Sequence, residues 1–210
     1  MPRRAVVVLS DPESIHIMSD PMRKEILRLL LKKPMTETEL SEALGINKSS
    51  VGYHLKILRE YGIISVQRSV VGEHGILQKY YEPTATLFVV DYDKAPLKIK
   101  KQYIEVQLER LRGIISLFQM VEVGRGRYLQ VSSDLMEELA EEMVKNIVAV
   151  SRKYEGKETD LDGETFLTLI YGEALNELMK NEKWKKFFAS LGALGKLIVK
   201  TLPNEATITS

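Results

Sequence analysis

Apolar positions fall into stripes at helical spacing, interrupted by a β-like stretch. Met22, Ile26 and Leu29/Leu30 form one stripe, Leu40, Ala43 and Leu44 a second, and Val51, Leu55 and Leu58 a third. Residues three and four apart share a helix face, so each set predicts a short amphipathic helix. Over Ile64–Val70 and Ile76–Glu82 the chain turns to β-formers, joined through Val71-Gly72-Glu73-His74-Gly75. That is a hairpin signal with a longer turn, with Ile64, Val66 and Val70 expected on one face and Arg68 interrupting them. Ala5–Leu9 predicts a strand, and Thr84–Tyr92, with Leu87-Phe88-Val89-Val90 at its centre, an added strand or strap. After Pro96 the helical period returns over 97–121, where Ile104, Leu108, Leu111, Ile115 and Phe118 recur at four-three-four-three. Met136, Leu139, Met143, Ile147 and Val150 mark the next helix. Thr165–Met179 and Lys183–Leu202 predict the last two, before a tail.

The punctuation agrees with the stripes. Asp11-Pro12 and Asp20-Pro21 each place an N-cap before a proline at the first helical position. Thr36 with Glu39 is a capping box, and Gly45 ends that helix one residue before Asn47 caps the next. Gly62 stands where a left-handed C-terminal residue is wanted. Ser133 or Asp134 starts the helix after 97–121, and Gly156–Gly163 reads as a polar loop. Arg23, Lys24 and Arg28 read as a solvated face, and His16 and His74 as surface residues.

The helix from Asn47 has two unlike sides. Opposite Val51, Leu55 and Leu58 lie Ser49, Tyr53 and Lys56, with Gly52 beside them. Such a small, polar, aromatic and basic face suits close approach to a polyanion and hydrogen bonds to base edges. Two short helices joined through a glycine turn, followed by a hairpin, make a helix-turn-helix with a wing. Base reading falls to Ser49, Tyr53 and Lys56, with Lys48 and Ser50 near the backbone. Arg68 and Lys79, on the strand bodies, are the phosphate candidates.

Residues 20–83 resemble a winged helix-turn-helix of the ArsR type. The resemblance is carried by Asp20-Pro21-Met22-Arg23-Lys24-Glu25-Ile26-Leu27, by Leu40–Ile46, by Ser49–Ile64 and by Lys79-Tyr80-Tyr81. The rest is similar to larger archaeal members with a helical C-terminal extension. What the resemblance implies is a homodimeric, sequence-specific regulator of transcription, a repressor, bound to double-stranded DNA through helix 47–61. It also implies a semi-buried or phosphate-facing role for His54. The family's metal sensors carry cysteine pairs before the reading helix, or His/Asp ligands in terminal helices. Here Thr36–Leu44 has no thiol and 97–121 has neither histidine nor aspartate, so no metal site and no metal control are expected.

The expected fold class is mainly α with a small β wing (α+β). Residues 1–94 would be the DNA-binding domain, 95–203 a helical dimerisation and effector region, and 204–210 a tail. Ile104, Leu108, Leu111, Ile115 and Phe118 are the candidate dimer stripe, or else an ordinary face packed on the chain's own domain. Ile99, Tyr103 and Val106 form a second apolar face. Tyr171, Met179, Trp184, Phe187 and Phe188 read as core before ligand pocket, and Gly124-Arg125-Gly126-Arg127 as an interhelical loop before a phosphate contact. No effector is named by the sequence.

Charge adds little. Thirty basic and 29 acidic residues among 210 give a net charge of +1, with only a mild basic excess over 47–82. The DNA reading therefore rests on geometry, and a winged-helix protein-interaction module without DNA specificity is the second reading. The chain has no cysteine, which excludes disulfides and thiolate chemistry. Ala5–Leu9 is short for a secretory segment and no run is long enough to span a bilayer, so no membrane association and a cytoplasmic location are expected. His16, His54 and His74 stand apart from paired carboxylates and there is no glycine-rich phosphate loop. No catalytic residues, no cofactor and no enzymatic activity are expected.

Overall fold

The computed structural model describes residues 3–71, 75, 77–124, 131–191 and 208–209. In order the elements are β1 (Arg3–Leu9), α1 (Pro12–Met18), α2 (Pro21–Lys32), β2 (Met35–Thr36), α3 (Glu37–Leu44), α4 (Lys48–Glu60), β3 (Ile64–Val71), β4 (Leu77–Pro83) and β5 (Ala85–Val90). They continue with α5 (Leu97–Gly124), α6 (Ser133–Arg152), β6 (Glu158–Thr159), α7 (Gly163–Leu178), α8 (Glu182–Ser190) and β7 (Ile208–Thr209). Mainly α with a small β wing is therefore the observed class, and a second sheet accompanies the wing.

Three strands in the order β2-β4-β3 make the wing sheet. The other sheet runs β5-β1-β6-β7. In it β1 and β5 are parallel neighbours, with Val6 opposite Leu87 and Leu9 opposite Val90. Every element from α1 to β4 lies on the excursion between these two strands. Parallel strands need a long crossover, and here the crossover is the helix-turn-helix and its wing. β6 falls inside the stretch expected as a loop, where Arg3 and Arg4 pair with Thr159 and Glu158. Two residues show too little alternation to announce a strand. Ile208 and Thr209, from the expected tail, pair with β6.

The first core gathers Ile15, Ile26, Leu30, Leu40, Val51, Leu55 and Leu58 beneath α1–α4, closed by Ile63 and Ile64. Ile99 and the half-buried Tyr103 of α5 join it. Burial of this phenol pushes its pKa up to about 12. A second core packs Ala5 and Val6 of β1 on Met143, Val150, Phe166 and Ile170. The third holds Leu108 and Leu111 of α5 against Met136, Leu139, Leu178 and Trp184.

That third core covers the expected dimer stripe from within the chain. Leu108, Leu111 and Phe118 are buried within the chain, and Ile104 and Ile115 pack half-buried on Met136 and its neighbours. Trp184 is fully buried, its indole N–H donating to Glu142 Oε2 at 2.6 Å. Phe187 and Phe188 pack beside it, so this aromatic group is core. Residues 125–127 and the wing-tip pair Glu73 and His74 lie outside the described residues.

Three smaller expectations also change. Arg23 is buried: its Nε–H donates to the Ile17 carbonyl at 2.6 Å, and its guanidinium lies 3.7 Å from Asp20. It clamps α1 to α2, which is why it leaves the solvated face of Lys24 and Arg28. Ser132, one residue before the expected pair, caps α6 by accepting from the Leu135 N–H. A β-bulge lies between Val66 and Arg68, so the outward–inward alternation flips there and Val70 is exposed rather than in line with Ile64.

Candidate nucleic-acid interface

The reading helix is anchored at both ends. Asn47 Oδ1 accepts the Ser50 N–H at 2.8 Å. At the far end Gly62 adopts φ 65°, a left-handed conformation that favours glycine. Tyr61 donates to Glu13 Oε2 at 2.8 Å, fixing the end of α4 to α1. That bond to the carboxylate, with burial adding, raises the phenol's pKa. Before it, α3 is held by its capping box: Glu39 N–H donates to Thr36 Oγ1 at 3.2 Å, and Thr36 N–H donates to Glu39 Oε2 at 2.7 Å. The Thr36 amide, joined by the Thr36 hydroxyl donating to the same Oε2 at 2.9 Å, holds the Glu39 carboxyl below its ordinary value against desolvation. Gly45, at φ 65°, turns the chain into α4.

With Val51, Leu55 and Leu58 buried, the helix's rotation is set and its opposite side faces out. Lys48, Ser49, Tyr53 and Lys56 are exposed together, Tyr53 to 61%. Ser50 is half-buried, its N–H committed to the cap. His54 sits half-buried at the rim, edge-on to Tyr53 with centroids 5.5 Å apart. Its Nδ1 is buried without a protein partner. His54 also lies close enough to Asp20 to help, with the Arg23 amide and charge, to pull that carboxyl down despite burial.

Two carboxylates on this surface escaped the sequence reading. Glu60 lies on the same face as Tyr53, and Lys56 Nζ stands 3.9 Å from it. Helical spacing alone would have found it, since residues four apart are neighbours. Glu37 is the other. A Cβ at Gly52 would stand 3.1 Å from Glu37 Oε1. The glycine therefore admits the first turn of α3 beside α4, so a protein carboxylate takes the place expected for a polyanion there.

On the hairpin, the Arg68 guanidinium lies over the Tyr80 ring, 4.3 Å from its centroid. This stacking holds an otherwise exposed cation in one place. Lys79 is exposed on the neighbouring strand, opposite Ser69. The cations thus lie on two separate elements, α4 and the hairpin, as a duplex-spanning surface requires.

Residues 20–66 match the family described as "Bacterial regulatory protein, arsR family". This stretch is an arsR-family domain. It contains α2, α3, α4 and the start of β3, which places the reading helix wholly inside the match. The transcriptional repressor SdpR of Bacillus subtilis is 42% identical over 50 residues, 24% of this chain and 56% of SdpR. The match thus spans about half the length of that relative. Among solved structures, reduced HlyU from Vibrio cholerae is 25% identical, covering 35% of this chain and 70% of its own, with a TM-score of 0.30. Rv0081 of M. tuberculosis is 22% identical over 50% of this chain and 87% of its own, with a TM-score of 0.32. The arsR-family domain is joined here to α5–α8, beyond the 20–66 match. Among the described residues no helix is long and apolar enough to cross a membrane, and no group of three or more His, Asp or Glu could hold a metal ion.

Proposed function

We propose that the protein is a cytoplasmic, dimeric, sequence-specific DNA-binding regulator of transcription that acts as a repressor, without enzymatic activity and without metal control. The carrying observation is the outward face of α4: Ser49, Tyr53 and Lys56 are exposed on a helix whose opposite side is locked into the core. Ser49, Tyr53 and Lys56 read base edges in the major groove, and Lys48, Ser50, His54, Arg68 and Lys79 meet the backbone. Support comes from the arsR-family match and from the repressor SdpR, 42% identical over 50 residues.

The dimer face needs a different part of α5 from the stripe at Ile104–Phe118. Ile114, Leu117 and Met120 are exposed to 49%, 63% and 71% on the opposite side of the helix. Gly113 to Met120 carries no charge, whereas Lys101, Glu105, Glu109, Arg110 and Arg112 crowd the turns before it. A Cβ at Gly113 would meet nothing within 4 Å, so no contact inside the chain calls for glycine there. A mid-helix glycine costs about 1 kcal/mol relative to alanine. It is accounted for by a second helix approaching closely, and an uncharged strip suits an identical copy of itself. Two reading helices about 34 Å apart then meet two half-sites.

The test is footprinting of genomic fragments, including the protein's own promoter, followed by titration of a protected duplex at several salt concentrations. Protection of discrete palindromic sites, with log affinity falling against log salt, is the expected result. Binding that is absent, or equal on random duplex, favours the second reading, a winged-helix protein-interaction module. The Lys56–Glu60 pair and the near-neutral charge are the features that favour that reading.

A further inference from the structure

Where α2 meets the start of α7 lies a cleft of about 180 Å³, lined by Arg3, Leu31, Thr86 and the segment Thr159–Gly163. Since a water takes about 30 Å³, the cleft holds about six waters or a molecule of similarly few heavy atoms. It is smaller than the roughly 300 Å³ at which drug-sized pockets begin.

Its chemistry is polar and incompletely satisfied. Thr86 is only 5% exposed, yet among the described residues its hydroxyl has no hydrogen-bond partner. That oxygen is not among the buried atoms without a partner, so it is open to the cleft and available to a ligand. Arg3 reaches Glu82 of β4 only at 4.0 Å, which leaves most of its five N–H donors free. Asp160 has no hydrogen bond or ion pair among the described residues. Arg3 and Asp160 therefore line one cleft with opposite charges and do not pair with each other.

The other polar groups are committed. Asp162 accepts from the Glu164 and Thr165 N–H groups and from the Thr165 hydroxyl as the cap of α7. Thr159 Oγ1 accepts the Leu161 N–H at 3.1 Å. The open groups are thus one cation, one anion and the Thr86 hydroxyl.

We propose that this cleft binds a small zwitterion of the α-amino-acid type, its ammonium on Asp160, its carboxylate on Arg3, with Thr86 supplying a hydroxyl from the cleft wall. The site joins parts that matter for DNA: Leu31 belongs to the last turn of α2, and Arg3 is tied to the hairpin through Glu82. Occupancy therefore changes duplex affinity, a consequence that rests on the DNA reading proposed above.

Titration calorimetry of the full chain without DNA tests the site itself, using glycine, L-alanine, L-serine and L-threonine, with ethanolamine and lactate as the two half-charged controls. At least one amino acid is expected to bind with Kd of about 1 mM or tighter, and both controls about tenfold more weakly. Asp160→Asn and Thr86→Val, one at the surface and one close in shape, should each weaken binding about tenfold while unfolding at the parent's temperature. No binding by any of the four, a control that binds as well, or binding that survives both substitutions overturns the proposal. Anisotropy with a labelled duplex, with and without the bound amino acid, then tests the coupling. A duplex that never binds counts against the DNA reading; one that binds with unchanged affinity refutes the coupling.

Discussion

The Arg152 guanidinium donates to Asp91 Oδ2 at 2.7 Å, joining the end of α6 to the residue that follows β5. The same Nη2 lies 3.3 Å from Ser10 Oγ, just after β1. Both strands that flank the reading unit are thus fastened to the C-terminal half by one side chain. Asp91 is 4% exposed, so Arg152→Ala leaves a buried carboxylate with only the Ser10 hydroxyl and the Asp93 N–H. Breaking a buried pair costs about 3–5 kcal/mol, and solvent screening at the half-exposed arginine reduces this to about 1–2 kcal/mol. Urea unfolding should show that loss as a lower midpoint, with Arg152→Lys recovering part of it.

Tyr53→Ala should weaken binding to a protected site more than binding to random duplex, because a base contact is lost. A discriminating contact is worth about 1–3 kcal/mol. Lys48→Ala should weaken both about equally and reduce the salt slope by about one. Anisotropy at fixed salt separates the two behaviours, and equal losses from Tyr53→Ala would remove it from the readers.

Leu117→Glu should yield a folded monomer by sedimentation, since the outward face of α5 has room for the charge until a partner covers it. Leu111→Ala should instead destabilise the fold by about 2–5 kcal/mol, the usual range for a buried leucine. If Leu117→Glu stays dimeric, the pairing face lies elsewhere.

Tyr103 predicts an alkaline limit. Its folded pKa of about 12 exceeds the ordinary 10.0, so the neutral phenol is favoured in the folded state. The associated stability is complete below the unfolded value and is lost as pH rises between the two. The slope is about 1.4 kcal/mol per pH unit for that one group. Tyr61, Tyr81, Tyr92 and Tyr171 are raised in the same direction, so Tyr103→Phe should flatten the alkaline decline without abolishing it. An unchanged slope in chemical unfolding between pH 9 and pH 11 would count against Tyr103 as a main contributor, on the ordinary tyrosine pKa of about 10.

The reading unit was legible because its signals are local. Asp20-Pro21, the Thr36–Glu39 box, Gly45 and Asn47 each act within a few residues, and the stripes between them repeat over whole turns. What escaped depends on distant partners. Arg23 looked solvated because the Ile17 carbonyl that it caps belongs to another helix. Strand β6 is two residues long and is made by its pairing with β1 and β7, both distant in sequence. The heptad stripe of α5 announced a buried face correctly, but period alone does not say whose surface covers it. Glu60 was the one miss that spacing could have supplied. Gly52 carried a real signal of close approach, and the neighbour turned out to be Glu37.

Because β1 and β5 are side by side, the polypeptide departs from the sheet and comes back on the adjoining rail. A slip of one rail along the other by a single residue would turn every side chain of that strand to the opposite face. The pairing of Val6 with Leu87 and Val8 with Val89 consequently acts as a calibration. The proposed reading face of α4, Tyr53 included, is thus borne on a length of chain whose two ends are held together by a register written well away from it.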